Sequence, residues 1–502
     1  MSFNKSILRK WKRYIGLFLA LMFTALVAFG YLYLKGYVVH TISNEPYGIN
    51  ISIFKDENSR GFSWWTKYTK NKKEESLLFI SKKQFDINEI YEKNKYRVAN
   101  DGEIINDDVV LFKGESKTIK ANTRLDNIYN VQYINHKVCI NNLTDNQQYF
   151  YAIGGNGKFV DGSFYTDTDD ITTICNFNDF QTSEGKKLYY AQQTLSAMNN
   201  LEDEEIDFFA FGGDFTNTFT IEKQRYNKYL GWMKSRQSLN ENIGSVPMVM
   251  AKGNHDMDIS LFDSNNHVDY ENDKEHYFSF NYNNVHFVVL DSNNFSVAQK
   301  EWLNNDLRNS KNVALWNIIM IHNGPYTTGD HGFNYDKSFV EEFGHICSKN
   351  NVDLVLQAHD HTYSKTVPYC WNSKGFYTKF DNVNSVVNLS PDVLRQDGID
   401  YDYRPNGTYY VSCGASGHRI GENVEYAQHE GEKSYINREH QIAIGEIKVN
   451  SKYANIGEKS SADLGHTMFG MLYVNKNKLL YLFYVVNEEG KAVLYDQLAI
   501  IK

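Results

Sequence analysis

The stretch Asp353-Leu354-Val355-Leu356-Gln357-Ala358-His359-Asp360-His361 ("DLVLQAHDH") sets an apolar run directly before two histidines. The run is short and rich in aliphatic and β-branched residues, so it reads as a buried strand. If strand geometry continues past it, residues i and i+2 share a side, and His359 and His361 aim one way while Asp360 aims the other. Such a pair is either two solvated loop histidines or two metal ligands. The second reading needs partners elsewhere in the chain.

Similar endings close other apolar strands. "CNFNDFQ" ends in Asp179 and Gln181, "FFAFGGDFTN" in Asp214 followed by Asn217, "MVMAKGNHD" in Asn254, His255 and Asp256, and "NIIMIH" in His322. Each has a plain alternative when taken singly, since Asp after Gly-Gly is a common turn residue. Five such endings in order point to one crevice, because the C-terminal strand ends of parallel-rich α/β sheets converge. The helix-like segments "LYYAQQTLSAMNNL", "VAQKEWLNNDL" and "KSFVEEFGHICSKN" alternate with these strands, which predicts a layered α/β domain over 171–502. Within it, 423–465 is charged and polar and reads as an insertion or long loop, and the C-terminal segment is again strand-like.

Upstream, 46–168 carries short alternating segments such as "GINISIF", "SLLFISK" and "QQYFYAIGG", broken by Asn, Asp and Gly. This spacing predicts an all-β sandwich. No cluster of His, Asp and Glu sits there, which leaves the domain a supporting or substrate-side role. At the N-terminus, Lys5, Arg9, Lys10, Lys12 and Arg13 (within a basic segment, 1–13) precede an apolar stretch from Tyr14 to Leu34. Its length suits a membrane-spanning anchor (14–34), and the basic flank places the remainder outside the cytoplasm. A cleavable signal peptide is the rival reading, because Ala28-Phe29-Gly30 offers a small-x-small site. The outcome is a protein held at the cell membrane with an extracytoplasmic catalytic domain, or one secreted after cleavage.

Composition narrows the function classes. The 502 residues are 42% hydrophobic and 23% charged, as globular chains are, and exceed what one ordinary core serves. A net charge of −9 without a long basic block gives no sign of nucleic acid as a partner. Cys139, Cys175, Cys347, Cys370 and Cys413 are scattered, which argues against a disulfide framework or a cysteine zinc site. The remaining donors are carboxylates, an amide oxygen and imidazoles, a set suited to zinc, manganese or iron. Six such donors exceed one tetrahedral ion, so two divalent ions are expected, with one carboxylate bridging. A pair of ions about 3.5–4 Å apart suits a small phosphoester substrate, whose attacking and leaving oxygens it can stabilise together.

The ordered series Asp179, Gly213-Asp214, Gly253-Asn254-His255-Asp256, His322 and His359-x-His361 resembles the calcineurin-like metallophosphoesterase superfamily. "FSWWT", "LTDNQQYFYAIGG" and "NGTYYVSCGASG" make the chain similar to its purple acid phosphatase branch. The resemblance implies a fibronectin type III-like N-terminal domain, then a metallophosphoesterase domain whose central β-sandwich is flanked by helices. It further implies that Asp179 and His361 hold the first metal and that Asp214 bridges. Asn254, His322 and His359 would complete the second, with a metal-bridged hydroxide as nucleophile. His255 would contact phosphate and protonate the leaving oxygen, and His331 falls at a substrate-binding histidine. The chain departs from the pattern in three places. Asn217 stands where the purple enzymes carry a tyrosine, so no charge-transfer colour and a pair of divalent ions (Fe, Mn or Zn) are expected. Gln181 stands where many relatives have histidine, and Ala358 where glycine is usual. The expected function is an acid-phosphatase-like phosphomonoesterase. The alternatives are a phosphodiesterase or nucleotide hydrolase on the same site, or a degraded surface binding module.

Overall fold

The structure, a computed structural model, describes residues 5–34, 44–68, 74–120, 132–166, 170–181, 185–201, 205–215, 245–256, 259–271, 275–326, 337–371, 386–388, 391–417, 447–448 and 467–502, apart from positions 94, 98, 107, 312, 362, 367 and 488. His331, Asn217 and most of 423–465 lie outside these residues.

The basic-apolar N-terminus forms helix α1 (Lys5–Leu34). Large apolar side chains such as Leu17, Phe18, Phe23 and Leu26 point into solvent along it. No helix among the described residues is long and apolar enough to cross a membrane. The expected spanning segment is a helix with an exposed apolar surface, and its reading as a membrane-crossing anchor gains no support here.

Nine strands follow: β1 (Tyr47–Ile53), β2 (Arg60–Lys67), β3 (Leu77–Ser81), β4 (Glu103–Asn106), β5 (Val109–Lys113), β6 (Glu115–Lys120), β7 (Gln132–Ile140), β8 (Gln147–Gly155) and β9 (Lys158–Thr166). They form two antiparallel sheets, ordered β1-β2-β7-β6 and β4-β5-β3-β8-β9. Ile51, Phe62, Trp64 and Val138 of the first sheet share one buried cluster with Leu78, Ile80, Tyr151 and Ile153 of the second. Burying each such side chain contributes about 1.5–3 kcal/mol. A short helix, α2 (Ile87–Glu92), interrupts the strands and was not anticipated from the alternation. Asp86 caps it by accepting from the Asn88 N–H at 2.8 Å.

The remainder holds two sheets packed face to face. The first takes β10 (Thr172–Phe177), β11 (Phe208–Phe211) and β12 (Met248–Met250), which run parallel to one another. The second begins with β13 (Phe278–Tyr282), β14 (Val285–Val289), β15 (Trp316–Asn323) and β16 (Leu354–Ala358), the last three parallel. Next come β17 (Tyr363–Thr366), the small pair β18 (Tyr369–Trp371) and β19 (Val386–Asn388), β20 (Asp392–Gln396), β21 (Ile399–Tyr403), β22 (Tyr409–Cys413), β23 (Ile447–Lys448), β24 (Met468–Val474), β25 (Lys478–Val486) and β26 (Ala492–Ile501). The orders are β12-β11-β10-β24-β25-β26-β21-β20 and β13-β14-β15-β16-β22-β17-β23. Ile174, Phe208, Val249 and Leu472 of one sheet meet Phe287, Ile318, Leu356 and Val411 of the other in the central core.

Helix α3 (Gly185–Asn199) covers the outer face of the first sheet through Ala191, Leu195 and Met198. Helix α4 (Ile259–Asn265) follows the β12 loop. Helices α5 (Val297–Ser310) and α6 (Lys337–Asn350) cover the second sheet through Leu303, Leu307, Val340 and Phe343. The predicted layering is therefore met, with one amendment. The polar segment supplies β23, whose pairing with Lys365 and Thr366 adds a strand to the second sheet.

The N-terminal strands grip the second part at α4. Asn265 accepts from Asn50 Nδ2 through its carbonyl (2.7 Å) and from Trp65 Nε1 through its side chain (2.8 Å). Asn135 Nδ2 donates to Ser264 O at 2.7 Å. These bonds are buried, so breaking one leaves a polar group unsatisfied.

Candidate metal centre

Parallel strands β10, β11 and β12 deliver Asp179, Asp214 and Asn254 at their C-terminal ends, and β15 and β16 deliver His322, His359 and His361 from the facing sheet. The backbone turns sharply at each loop. Asp179 (φ 54°), Gln181 (φ 40°), Asp214 (φ 59°) and His359 (φ 71°) all lie in the left-handed region. Non-glycine residues rarely adopt it, and such strain gathers where a side chain must be aimed. The two carboxylate loops are zipped together by Asp179 N–H to Gly213 O (3.0 Å) and Gln181 N–H to Asp214 O (2.9 Å).

One expectation fails in its reasoning. β16 ends at Ala358, and the left-handed His359 with the Asp360 N–H to Ala358 O bond (2.8 Å) breaks the strand period. His359 and His361 accordingly face different partners. His359 joins Asp214 and His322 in a group whose donor atoms lie within 4.8 Å of one another. His361 Nε2 stands 3.6 Å from Asp179 Oδ1. The turn, and not strand alternation, divides the pair.

Asp214 is fully buried and central. Its Oδ1 lies 3.4 Å from His322 Nε2 and accepts from the His255 N–H at 2.7 Å, and its Oδ2 accepts from Gln181 Nε2 at 3.1 Å. Burial alone would raise its carboxyl, but His322 and then His255 hold it well below the usual carboxylate range. Burial alone would likewise lower His322, yet Asp214 overcomes this and raises the imidazole to about 10. The ring donates from Nδ1 to Gly212 O (2.8 Å), and its Nε2 lies 2.9 Å from Asn254 Oδ1. Nδ1 is thereby fixed outward, which leaves Nε2 as the atom that faces the site.

The donors fit divalent cations. Asp179 Oδ1 is buried with no hydrogen-bond partner among the described residues, an expensive state unless a cation meets it. Around it stand oxygens and imidazole nitrogens without a thiolate, a set that zinc, manganese and iron accept. His255 flanks the group, its Nε2 3.8 Å from Asp214 Oδ2. Burial lowers its pKa, and Asp214 opposes that in part.

Two roles escaped the sequence reading. Asp256 accepts the N–H groups of Gly253 (3.0 Å), Asp214 (2.8 Å) and Phe215 (3.1 Å), tying the β11 and β12 loops together. Burial and then Asp214 push its carboxyl up to about 6. Its position inside Gly253-Asn254-His255-Asp256 was the available signal. Asn178, beside Asp179, was passed over because an asparagine before an aspartate looks like any turn. Of the departures, Gln181 turns its amide N–H to Asp214 rather than offering an oxygen there. The Ala358 methyl faces Gly212, where an added Cβ would come within 3.0 Å of it, so the absence of a side chain at Gly212 makes room.

Residues 172–363 match the calcineurin-like phosphoesterase family, a range that encloses every donor from Asp179 to His361. Purple acid phosphatase 22 of Arabidopsis thaliana is 23% identical over 246 residues, covering 46% of this chain and 53% of the relative. The chain thus spans about half the length of that curated relative. The structure of a purple acid phosphatase from yellow lupin (Lupinus luteus) seeds superposes with a TM-score of 0.60 at 14% identity, over 91% of this chain and 74% of that one. At that identity the likeness is one of fold. It extends beyond the phosphoesterase domain to most of the chain.

Proposed function

We propose that this protein is a metal-dependent phosphoester hydrolase, and specifically a phosphomonoesterase of the purple acid phosphatase type acting outside the cytoplasm. The observation that carries the reading is the meeting of Asp214, His322 and His359 within 4.8 Å, at strand ends contributed by both sheets. Asp179 and His361 would hold one divalent ion, Asn254, His322 and His359 a second, and Asp214 both. When bound, such a pair neutralises phosphate charge and supplies an activated water as nucleophile. His255 would hold a proton for the departing oxygen, the poorest leaving group in the reaction. The two-sheet N-terminal domain supports the purple acid phosphatase branch, with the fibronectin-like sandwich that branch carries. The exposed apolar surface of α1, preceded by basic residues, supports attachment at a membrane with the catalytic part on the outer side.

The test uses the full chain, stripped of metal and reloaded with manganese, zinc or iron. Turnover of an aryl phosphate monoester is compared with that of the corresponding diester. Monoester hydrolysis that Asp214→Asn reduces by at least about 100-fold supports the proposal, since even outer-shell partners of a metal typically cost 10–100-fold. Faster diester cleavage moves the protein to a phosphodiesterase on the same residues. Bound metal without turnover of either substrate overturns the hydrolase reading in favour of a binding module.

A further inference from the structure

Asn178 occupies the last position before Asp179, has no accessible surface, and spends its whole side chain on three partners. Its Nδ2 donates to Asp179 Oδ2 (2.5 Å) and to Gly414 O (2.6 Å), and its Oδ1 accepts from the Cys413 thiol (3.0 Å). The backbone is held as firmly. Asn178 N–H donates to Ser416 Oγ (3.2 Å), Ser416 N–H donates to Asn178 O (2.9 Å), and Ser416 Oγ donates to Met468 O (2.6 Å). A second donor, the His359 N–H, reaches the same Asp179 Oδ2 at 3.1 Å. The two oxygens of Asp179 are therefore unequal. Oδ2 accepts two hydrogen bonds, whereas Oδ1 is buried without one and faces His361 Nε2 at 3.6 Å.

We propose that Asn178 is a positioning residue that makes Asp179 a one-oxygen ligand, presenting Oδ1 alone to the metal shared with His361. The inference rests on the metal-centre reading above and adds to it the segment Cys413–Ser416, for which the ligand series gave no task. That segment starts at the last residue of β22 in one sheet and holds Asn178 just past the end of β10 in the other. A carboxylate free to rotate could offer both oxygens or swing away from His361, and either change alters the first ion's affinity and not the second's. An orienting partner of this kind is typically worth 10–100-fold in metal affinity.

The experiment is calorimetric titration of the metal-free full chain with manganese or zinc, for the wild type, Asn178→Ala and Cys413→Ala, with the thermal midpoint of each metal-free protein measured alongside. The expected wild-type result is two ions. In Asn178→Ala one site weakens by about 10–100-fold and the other keeps its affinity, and Cys413→Ala weakens the same site by a smaller factor. A purely space-filling role would lower the thermal midpoint and leave both affinities of the folded protein unchanged, and that result overturns the proposal. If Asn178→Ala does not fold, Cys413→Ala decides alone, and an unchanged affinity there is equally fatal. Failure of the wild type to bind two ions would instead sink the metal-centre reading itself, so the two failures are separable.

Discussion

His255 sits beside the donor cluster without belonging to it, and its chemistry depends on its proton. Burial lowers its pKa below the ordinary 6.5, more than Asp214 restores it. The acid form is the one that can serve a leaving oxygen, and its fraction falls as pH rises through that lowered value. Phosphomonoester turnover should therefore fall on the alkaline side, beginning below pH 6.5. His255→Asn should lower kcat by about 10²–10⁴, the usual worth of a positioned acid, and should flatten that limb of the profile. A pH–rate profile of both proteins on an activated and a poor leaving group checks this. An unchanged limb in the variant would assign the ionisation elsewhere. At the same scale, the sequence exposed the ligand types but not the state of His322. Its raised pKa comes from an aspartate more than a hundred positions away in the chain.

At the scale of elements, the site is made by loops that could close only around glycine. Gly213 has φ +104°, and a Cβ there would lie 2.7 Å from both Gly253 N and His322 Nδ1. Gly213→Ala should cost on the order of 2–4 kcal/mol, through left-handed strain and overpacking together. It should also push His322 off its bond to Gly212 O and weaken metal binding. Urea denaturation and metal titration of the variant test the two effects, and a loss under about 0.5 kcal/mol would show that the loop relaxes freely. The strands β10, β11, β12, β15 and β16 were legible because buried parallel strands read as apolar runs. The short helix α2 was not, since six residues give too little periodicity to outweigh the neighbouring strand signals. The resemblance already placed His359 and His361 on different metals, but the turn that parts them was hidden, because a single left-handed residue leaves no mark on hydrophobic pattern.

For the whole molecule, one source of acid sensitivity lies in the N-terminal domain. His136 is buried between Thr66 Oγ1 (2.7 Å) and Ser76 Oγ (2.8 Å) and stacks on Trp64 at 5.1 Å. Burial lowers its pKa from 6.5 to about 4. At pH 7 the ring is neutral whether the chain is folded or not. As pH falls below 6.5 the unfolded chain takes up a proton that the folded chain refuses, so stability drops until about pH 4 and then levels. The full loss is about 3 kcal/mol, from 2.5 pKa units at 1.36 kcal/mol each. His136→Gln should shrink the stability difference between pH 7 and pH 4.5 by about 2–3 kcal/mol, read from denaturant midpoints at the two pH values. If wild type and variant lose stability in parallel, another group governs the acid limb. An activity assay run at low pH, where His255 carries its proton, would meet this stability limit first.

The sequence by itself determined the order of the strands, the residue types at their ends and the division into an all-β and an α/β part. Those features are local: hydrophobic period, turn residues and donor chemistry are written within a few positions. Only the tertiary structure decided which donors meet, which oxygen of Asp179 is held and which is left bare, and which imidazole lies against Asp214. Each of these depends on distances between residues far apart in the chain. The bond from Cys413 to Asn178 and the approach of His322 to Asp214 exist only once the two sheets have packed face to face.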